Sequence, residues 1–129
     1  MNLIIDIGNS SVKLAVFEEN SILDFNRTHI GDLEGSVQKI LTYYPKVKQI
    51  ILASVTAFDR QDFCNIFNAY NPIFVDYDFD FPFANLYNST SKLGVDRLAL
   101  VSAAVFKYPE QNVLIIDAGS CITYDFVDT

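Results

Sequence analysis

The sequence predicts an α/β layered fold, and three observations carry that prediction. The chain opens on short apolar runs separated by turn formers, continues with helical and strand patterns in alternation, and repeats one strand-turn segment near its end. Its 129 residues are half apolar and 14% aromatic, enough to bury the core of one ordinary globular domain.

The first thirty residues read as a meander of strands. Residues 3–5 form an apolar run, residues 12–17 are apolar except for Lys13, and residues 22–30 alternate weakly. Gly8-Asn9-Ser10-Ser11 and Glu18-Glu19-Asn20-Ser21 supply the turns. A helix follows, with Asp32 as its expected cap, Leu33, Val37, Ile40, Leu41 and Tyr44 on one face, and Pro45 as its stop. Residues 47–55 hold a buried-strand run. Asp59 is the expected cap of a second helix whose inner face carries Phe63, Ile66, Phe67 and Tyr70, and residues 72–75 form another short strand.

Periodicity fails over residues 76–92, which read as a long, partly extended loop. Its acids Asp76, Asp78 and Asp80 are expected on the wet side with the intervening aromatics inward. The row lacks the Gly and Glu of a calcium loop, so a solvated face is the better reading. Helical spacing resumes at Val95 and runs through Leu98, Val101, Ala104 and Val105 to Pro109. Two further strands, 112–117 and 121–127, complete the pattern.

Charge and composition remove whole classes of function. A net charge of -7 excludes a nucleic-acid binder held by a basic face. No apolar run approaches the roughly 18 residues that cross a bilayer, and MNLIIDIGNS lacks the basic start of a secretory signal. Cys64 and Cys121 have neither zinc nor disulfide spacing and are expected as buried filler in a reducing, cytoplasmic setting. His29, the one histidine, is expected at the surface or on an edge strand.

The repeat is the strongest internal clue. Leu3-Ile4-Ile5-Asp6-Ile7-Gly8 matches Leu114-Ile115-Ile116-Asp117-Ala118-Gly119 at five of six positions, and each copy continues with small polar residues and a second strand. Two copies suggest a duplicated unit, with residues 1–110 as one lobe and residues 111–129 as the opening hairpin of another. Such a hairpin would leave an exposed sheet edge.

A strand ending in Asp-x-Gly followed by small polar residues presents backbone N–H groups at a tight turn, where phosphate can be cradled. Gly8 and Gly119 allow positive φ or close ligand approach. Asn9, Ser10, Ser11 and Ser120 add donors, and Lys13 can reach a phosphate tail. Asp6 and Asp117, beside phosphates, suit a role in holding Mg²⁺ or a monovalent ion. The alternative, a plain hairpin turn, weakens when two copies share one context. A second constellation, Leu93-Gly94-Val95-Asp96-Arg97, opens a helix directly after the loop. Arg97 can fork onto a carboxylate or amide, and Asp96 can accept a proton from an attacking hydroxyl. Phosphoryl transfer tolerates so weak a base because it asks mainly for positioning and charge neutralisation. Read without a family, helix capping by Asp96 and a surface ion pair for Arg97 are the better reading. Tyr87, seven residues upstream of Gly94, can lay its ring against a substrate, or simply pack.

The run Asp6 to Lys13, Tyr87 with Gly94-Val95-Asp96-Arg97, and Asp117-Ala118-Gly119-Ser120 with Thr123 and Asp125 occur in an order that resembles type III pantothenate kinases. Ala53-Ser54-Val55 resembles the short strand end between the first two motifs. The resemblance covers the whole chain but only the N-terminal half or so of the family. It implies a ribonuclease H-like lobe of the actin and sugar-kinase ATPase fold, a mixed sheet with flanking helices, followed by the first hairpin of a second lobe. It also implies ATP-dependent phosphorylation of the pantothenate hydroxyl, the first step of coenzyme A synthesis, in a cytoplasmic homodimer.

Residue by residue, the resemblance places Asp6, Ile7, Gly8, Asn9, Ser10, Ser11, Val12, Lys13 and Ser120 at ATP, with Asp6 toward Mg²⁺. Tyr87, Gly94, Val95, Asp96 and Arg97 would hold pantothenate, with Asp96 as the base. Asp117 would bind an activating K⁺ or ammonium ion. Thr90 stands where the family commonly has proline, and Ser10 and Ser120 where threonine is commoner. The 129 residues alone are not expected to turn over. A non-catalytic nucleotide-binding or regulatory module of the same fold, or a kinase for another small hydroxyl substrate, are the alternatives.

Overall fold

The computed structural model describes residues 1–89, 93–119 and 121–128, in two compact units, Met1–Val75 and Asp76–Thr129. The first unit contains strands β1 (Asn2–Ile7), β2 (Val12–Glu18) and β3 (Ser21–Thr28), helix α1 (Leu33–Tyr43), strand β4 (Gln49–Ser54), helix α2 (Arg60–Phe67) and strand β5 (Ile73–Val75). Its sheet runs in the order β3-β2-β1-β4-β5. The meander β1-β2-β3 is antiparallel, while β4 and β5 continue parallel to β1. Parallel neighbours need a crossover, and α1 and α2 supply the two that this order requires.

Alternation along β1 and β2 builds the core. Leu3, Ile5, Ile7, Val12, Leu14 and Val16 are buried to 1% exposure or less and meet Leu33, Val37, Ile40 and Leu41 of α1 and Phe63 and Phe67 of α2. The opposite face of the same strands carries Asp6 and Lys13, which sit directly across from each other. A one-residue slip would exchange the two sets, so the hydrophobic pattern fixes which side chains stay wet beside the turn.

Several expectations need correction. Asp32 does not cap α1 with its side chain; it lies in a 3₁₀ turn (Ile30–Asp32), and its φ of -105° and ψ of 6° are not the extended cap conformation. Asp59 does cap α2, accepting the Asp62 N–H at 2.9 Å. Ile66 is exposed, because α2 spans only eight residues and buries the narrow stripe Phe63–Phe67. Tyr77 and Phe79 are also exposed. Residues 76–89 have no sheet partner to enforce alternation, and Phe79, Phe81 and Phe83 instead pack in sequence with ring centroids 5.6 and 5.5 Å apart.

The second unit contains α3 (Val95–Lys107) and a hairpin of β6 (Val113–Ala118) and β7 (Ile122–Val127). Leu98, Val101 and Ala104 are buried on α3, as the spacing predicts. The hairpin's two faces differ: Val113, Ile115, Asp117, Thr123, Asp125 and Val127 are half-buried, whereas Leu114, Ile116, Ile122, Tyr124 and Phe126 are 58–65% exposed. Cys121 is exposed at the turn rather than packed, since its carbonyl is drawn in to accept the Gly119 N–H at 3.0 Å, and Cys64 is half-buried. Among the described residues no helix is long and apolar enough to cross a membrane.

Candidate functional site

In the first unit the turn between β1 and β2 lines a cleft of about 340 Å³. Residues Ile7 to Val12 form one wall, and His29, Ile30, Thr56 and Ala57 form the other. Two contacts shape it. The Gly8 N–H donates to the Ser11 carbonyl at 3.1 Å and closes the turn, and the Val55 N–H donates to the Ile7 carbonyl at 3.0 Å, which brings the end of β4 alongside. Ser54 Oγ both donates to the Thr56 carbonyl at 2.9 Å and accepts the Thr56 N–H, setting the opposite wall.

The Asn9 and Ser10 N–H groups have no acceptor among the described residues, so they are the donors that the turn offers a ligand. Neither described glycine of the two repeat turns has positive φ. At Gly8 the space is tight: a Cβ there would lie 3.3 Å from the Ser11 carbonyl oxygen. Ile7 and Val12 belong to the core, so their contribution to the cleft is backbone. His29, Thr56 and Ala57 were not marked by sequence reasoning as cleft residues. Their signal was topological, since β3 and β4 end at the same edge as the turn.

Asp6 and Lys13 do not line this cleft. They pair with each other, Lys13 Nζ to Asp6 Oδ2 at 2.9 Å, with side chains 46% and 33% exposed. An ion pair this wet contributes little to stability, and both partners stay available to an anion or cation. The donor set suits Mg²⁺ with a polyphosphate: a reachable carboxylate oxygen, an adjacent ammonium and unpaired backbone N–H groups.

In the second unit Gly94-Val95-Asp96-Arg97 begins α3, as the sequence predicts. Asp96 Oδ1 accepts the Arg97 N–H at 2.9 Å, and Gly94 O accepts it at 3.1 Å. Gly94 leaves the space that this carboxylate occupies: a Cβ there would collide with Asp96 Oδ1 and sit 3.4 Å from its Cγ. Val95 is buried, so any ligand contact it makes is through its backbone.

Arg97 reaches across to the hairpin. Its Nε donates to Asp125 Oδ2 at 2.9 Å and its Nη2 to Asp125 Oδ1 at 2.5 Å, and Nη2 also donates to the Tyr124 carbonyl at 3.3 Å. The guanidinium lies 5.8 Å from the centre of the Tyr87 ring. The Asp125 hydrogen bond is the main reason the Arg97 pKa is raised from its ordinary value, against the opposing effect of burial. Arg97, Tyr87, Leu93, Tyr124 and Asp125 line one cleft of about 610 Å³. Asp96 and Gly94 stand beside that cleft at the helix start rather than in its wall.

Asp117 and Thr123 are paired across β6 and β7 on the half-buried face. Thr123 Oγ1 is buried and without a hydrogen-bond partner. A carboxylate and an unsatisfied hydroxyl oxygen on neighbouring strands form a donor set that a hard cation would accept. Among the described residues, no three His, Cys, Asp or Glu side chains are grouped to hold a metal. Ser120 lies outside the described residues, as does Thr90.

A mixed five-stranded sheet with crossover helices and a polar turn after its central strand fits the actin and sugar-kinase class of fold. The comparison with known proteins narrows the class. The family model for type III pantothenate kinase matches residues 2–129, and the chain belongs to that family. It is 40% identical over 128 residues to the type III pantothenate kinase of Flavobacterium johnsoniae, covering 99% of this chain and 52% of that protein. The corresponding proteins of Flavobacterium psychrophilum and Christiangramia forsetii are 40% and 42% identical, over 99% and 97% of this chain and 53% and 51% of their own length. The chain spans about half the length of the curated relatives it matches.

Proposed function

We propose that the protein is an ATP-dependent kinase that phosphorylates the hydroxyl of pantothenate to 4'-phosphopantothenate, opening coenzyme A synthesis. The observation that carries this reading is the fixed carboxylate of Asp96 at the α3 N-terminus, with Arg97 in the adjoining cleft, in a chain matched to the family from residue 2 to 129. ATP with Mg²⁺ supplies the transferable phosphoryl group and shields its charge, and a monovalent cation, K⁺ or ammonium, completes the charge balance.

This chain's residues divide the remaining work. The Asn9 and Ser10 N–H groups and the hydroxyls of Ser10 and Ser11 hold phosphate oxygens, and Lys13 leaves Asp6 to meet them. Asp6 faces Mg²⁺, Asp117 takes the monovalent cation, and Ser120 joins the ATP contacts. Asp96 accepts the proton of the attacking hydroxyl, and its weakness as a base suits a transition state that needs positioning more than deprotonation. Tyr87, Gly94, Val95 and Arg97 hold pantothenate. Residues 1–110 act as one ATPase lobe and residues 111–129 open a second, in a cytoplasmic homodimer.

The test is ATP-dependent phosphorylation of pantothenate by the full-length protein carrying this chain, in K⁺ and in Na⁺ buffer, beside Asp96→Asn. The expected result is K⁺-dependent turnover that falls by a factor of about 10²–10⁴ in Asp96→Asn. Near-full activity of that variant removes Asp96 from its role, and ATP binding without pantothenate turnover removes the substrate assignment.

A further inference from the structure

The proposed function leaves Asp125 without a role, yet this is the side chain that Arg97 holds most firmly. It lies 28 residues beyond Arg97, on β7, and accepts both hydrogens of one guanidinium edge. The two side chains are only 22% and 14% exposed, unlike the wet Asp6–Lys13 pair. The second Nη2 hydrogen goes to the Tyr124 carbonyl, and the Tyr87 ring lies near the guanidinium. Three of the five guanidinium N–H groups are thus taken by β7, and the two left over are those of Nη1, which has no partner among the described residues.

Sequence alone allowed Arg97 to fork onto a ligand carboxylate or to meet an amide. The structure narrows that expectation, because the fork that matches a carboxylate, Nε with Nη2, is already filled by Asp125. What remains is a single amine edge, whose charge is offset by the carboxylate behind it. Such an edge suits one neutral carbonyl or hydroxyl oxygen better than an ionised group, which would face Asp125 across the guanidinium.

We propose that Asp125 is a positioning residue for the acceptor substrate: it locks the Arg97 guanidinium so that the Nη1 edge donates to a neutral oxygen, such as an amide carbonyl, of the molecule in the Tyr87–Arg97 cleft. The proposal rests on the reading of that cleft as the acceptor site. Asp125 touches no substrate and acts through Arg97. Its register position on β7, opposite Ile115, holds it on the half-buried face that carries Asp117 and Thr123.

The experiment is steady-state kinetics of the full-length protein with Asp125→Asn, Arg97→Ala and the double variant, with thermal unfolding of each as a fold control. Asp125→Asn is expected to raise KM for pantothenate about tenfold or more while kcat and KM for ATP change less than about twofold, the scale of a lost charged hydrogen bond. The double variant is expected to be no worse than Arg97→Ala, since Asp125 has nothing left to orient. Guanidinium ion added to Arg97→Ala is expected to restore turnover several-fold, and to restore none in the double variant, where its anchor is gone. A carboxylate-removed analogue of pantothenate, which keeps the amide, is expected to lose affinity on Asp125→Asn as pantothenate does, whereas an analogue altered at its amide is expected to lose little.

Unchanged KM for pantothenate in a folded Asp125→Asn overturns the positioning role, as does guanidinium rescue that ignores Asp125. A variant that unfolds is replaced by Asp125→Glu, whose longer arm displaces the guanidinium and is expected to raise the same KM. Wild-type protein that binds ATP but turns over no pantothenate overturns the reading of the cleft, and the role of Asp125 with it.

Discussion

At Gly94 the absence of a side chain is what the neighbouring acid needs. The carboxylate of Asp96 folds back over the helix start into the volume that a Cβ on Gly94 would take. Gly94 has φ -60° and ψ 137°, values any residue adopts, so the requirement is one of space and not of backbone freedom. Gly94→Ala is therefore expected to swing the Asp96 carboxylate away from the Arg97 N–H with little loss of stability. Turnover should fall about tenfold or more while the unfolding midpoint stays near wild type. An equal loss of both would mean that the glycine serves packing. The sequence showed Gly94, Asp96 and Arg97 as a motif at a helix start, and that placement holds. It could not show Asp125 as the partner of Arg97, because the two meet only through the register of β6 on β7 and the packing of α3. The weak trace was an acid near the end of the second strand of each repeat.

The elements themselves were legible wherever a period ran long enough. α1, α3, β1, β2 and β4 follow from spacing, because burial on one face imposes 3.6 or 2 on the residue order. Legibility ended where local contacts replaced a period. The 3₁₀ turn at Ile30–Asp32, the short α2 stripe and the ring-on-ring packing of Phe79, Phe81 and Phe83 are settled by neighbours rather than by a repeat. The capping of α2 is the contrasting success. Asp59 is extended at φ -78° and ψ 94° and accepts the Asp62 N–H, so Asp59→Ala is expected to destabilise the chain by about 1 kcal/mol in denaturant unfolding, with Asp59→Ser recovering most of it. A cost near zero would show that α2 is held by Phe63 and Phe67 alone. The two hairpins that sequence matched also differ in one element-scale respect. The β1–β2 turn holds four residues between Ile7 and Val12, while that between Ala118 and Ile122 holds three. The shorter turn brings Thr123 opposite Asp117, where the longer one brings Lys13 opposite Asp6, and this replaces an exposed ammonium partner by a buried, unsatisfied hydroxyl.

For the molecule as a whole, the charge of -7 means that an anionic ligand is repelled at long range and is drawn in only by local groups. The cleft at the β1–β2 turn was legible as a turn sequence, whereas its far wall required the fold, since His29 and Thr56 come from separate crossovers. The outer face of the β6–β7 hairpin has a different consequence, which concerns behaviour in solution. Leu114, Ile116, Ile122, Tyr124 and Phe126 form cross-strand pairs on one side, Leu114 with Phe126 and Ile116 with Tyr124, and all are more than half exposed. A row of paired apolar side chains this open is a sticky surface in water. The 129-residue chain is expected to show an apparent mass by light scattering that climbs with concentration, and a dye that lights up on apolar surface should bind it. Ile116→Thr with Phe126→Thr should flatten the mass curve and dim the dye while leaving the far-ultraviolet spectrum unchanged, and a curve that stays steep would place the sticky surface elsewhere on the molecule.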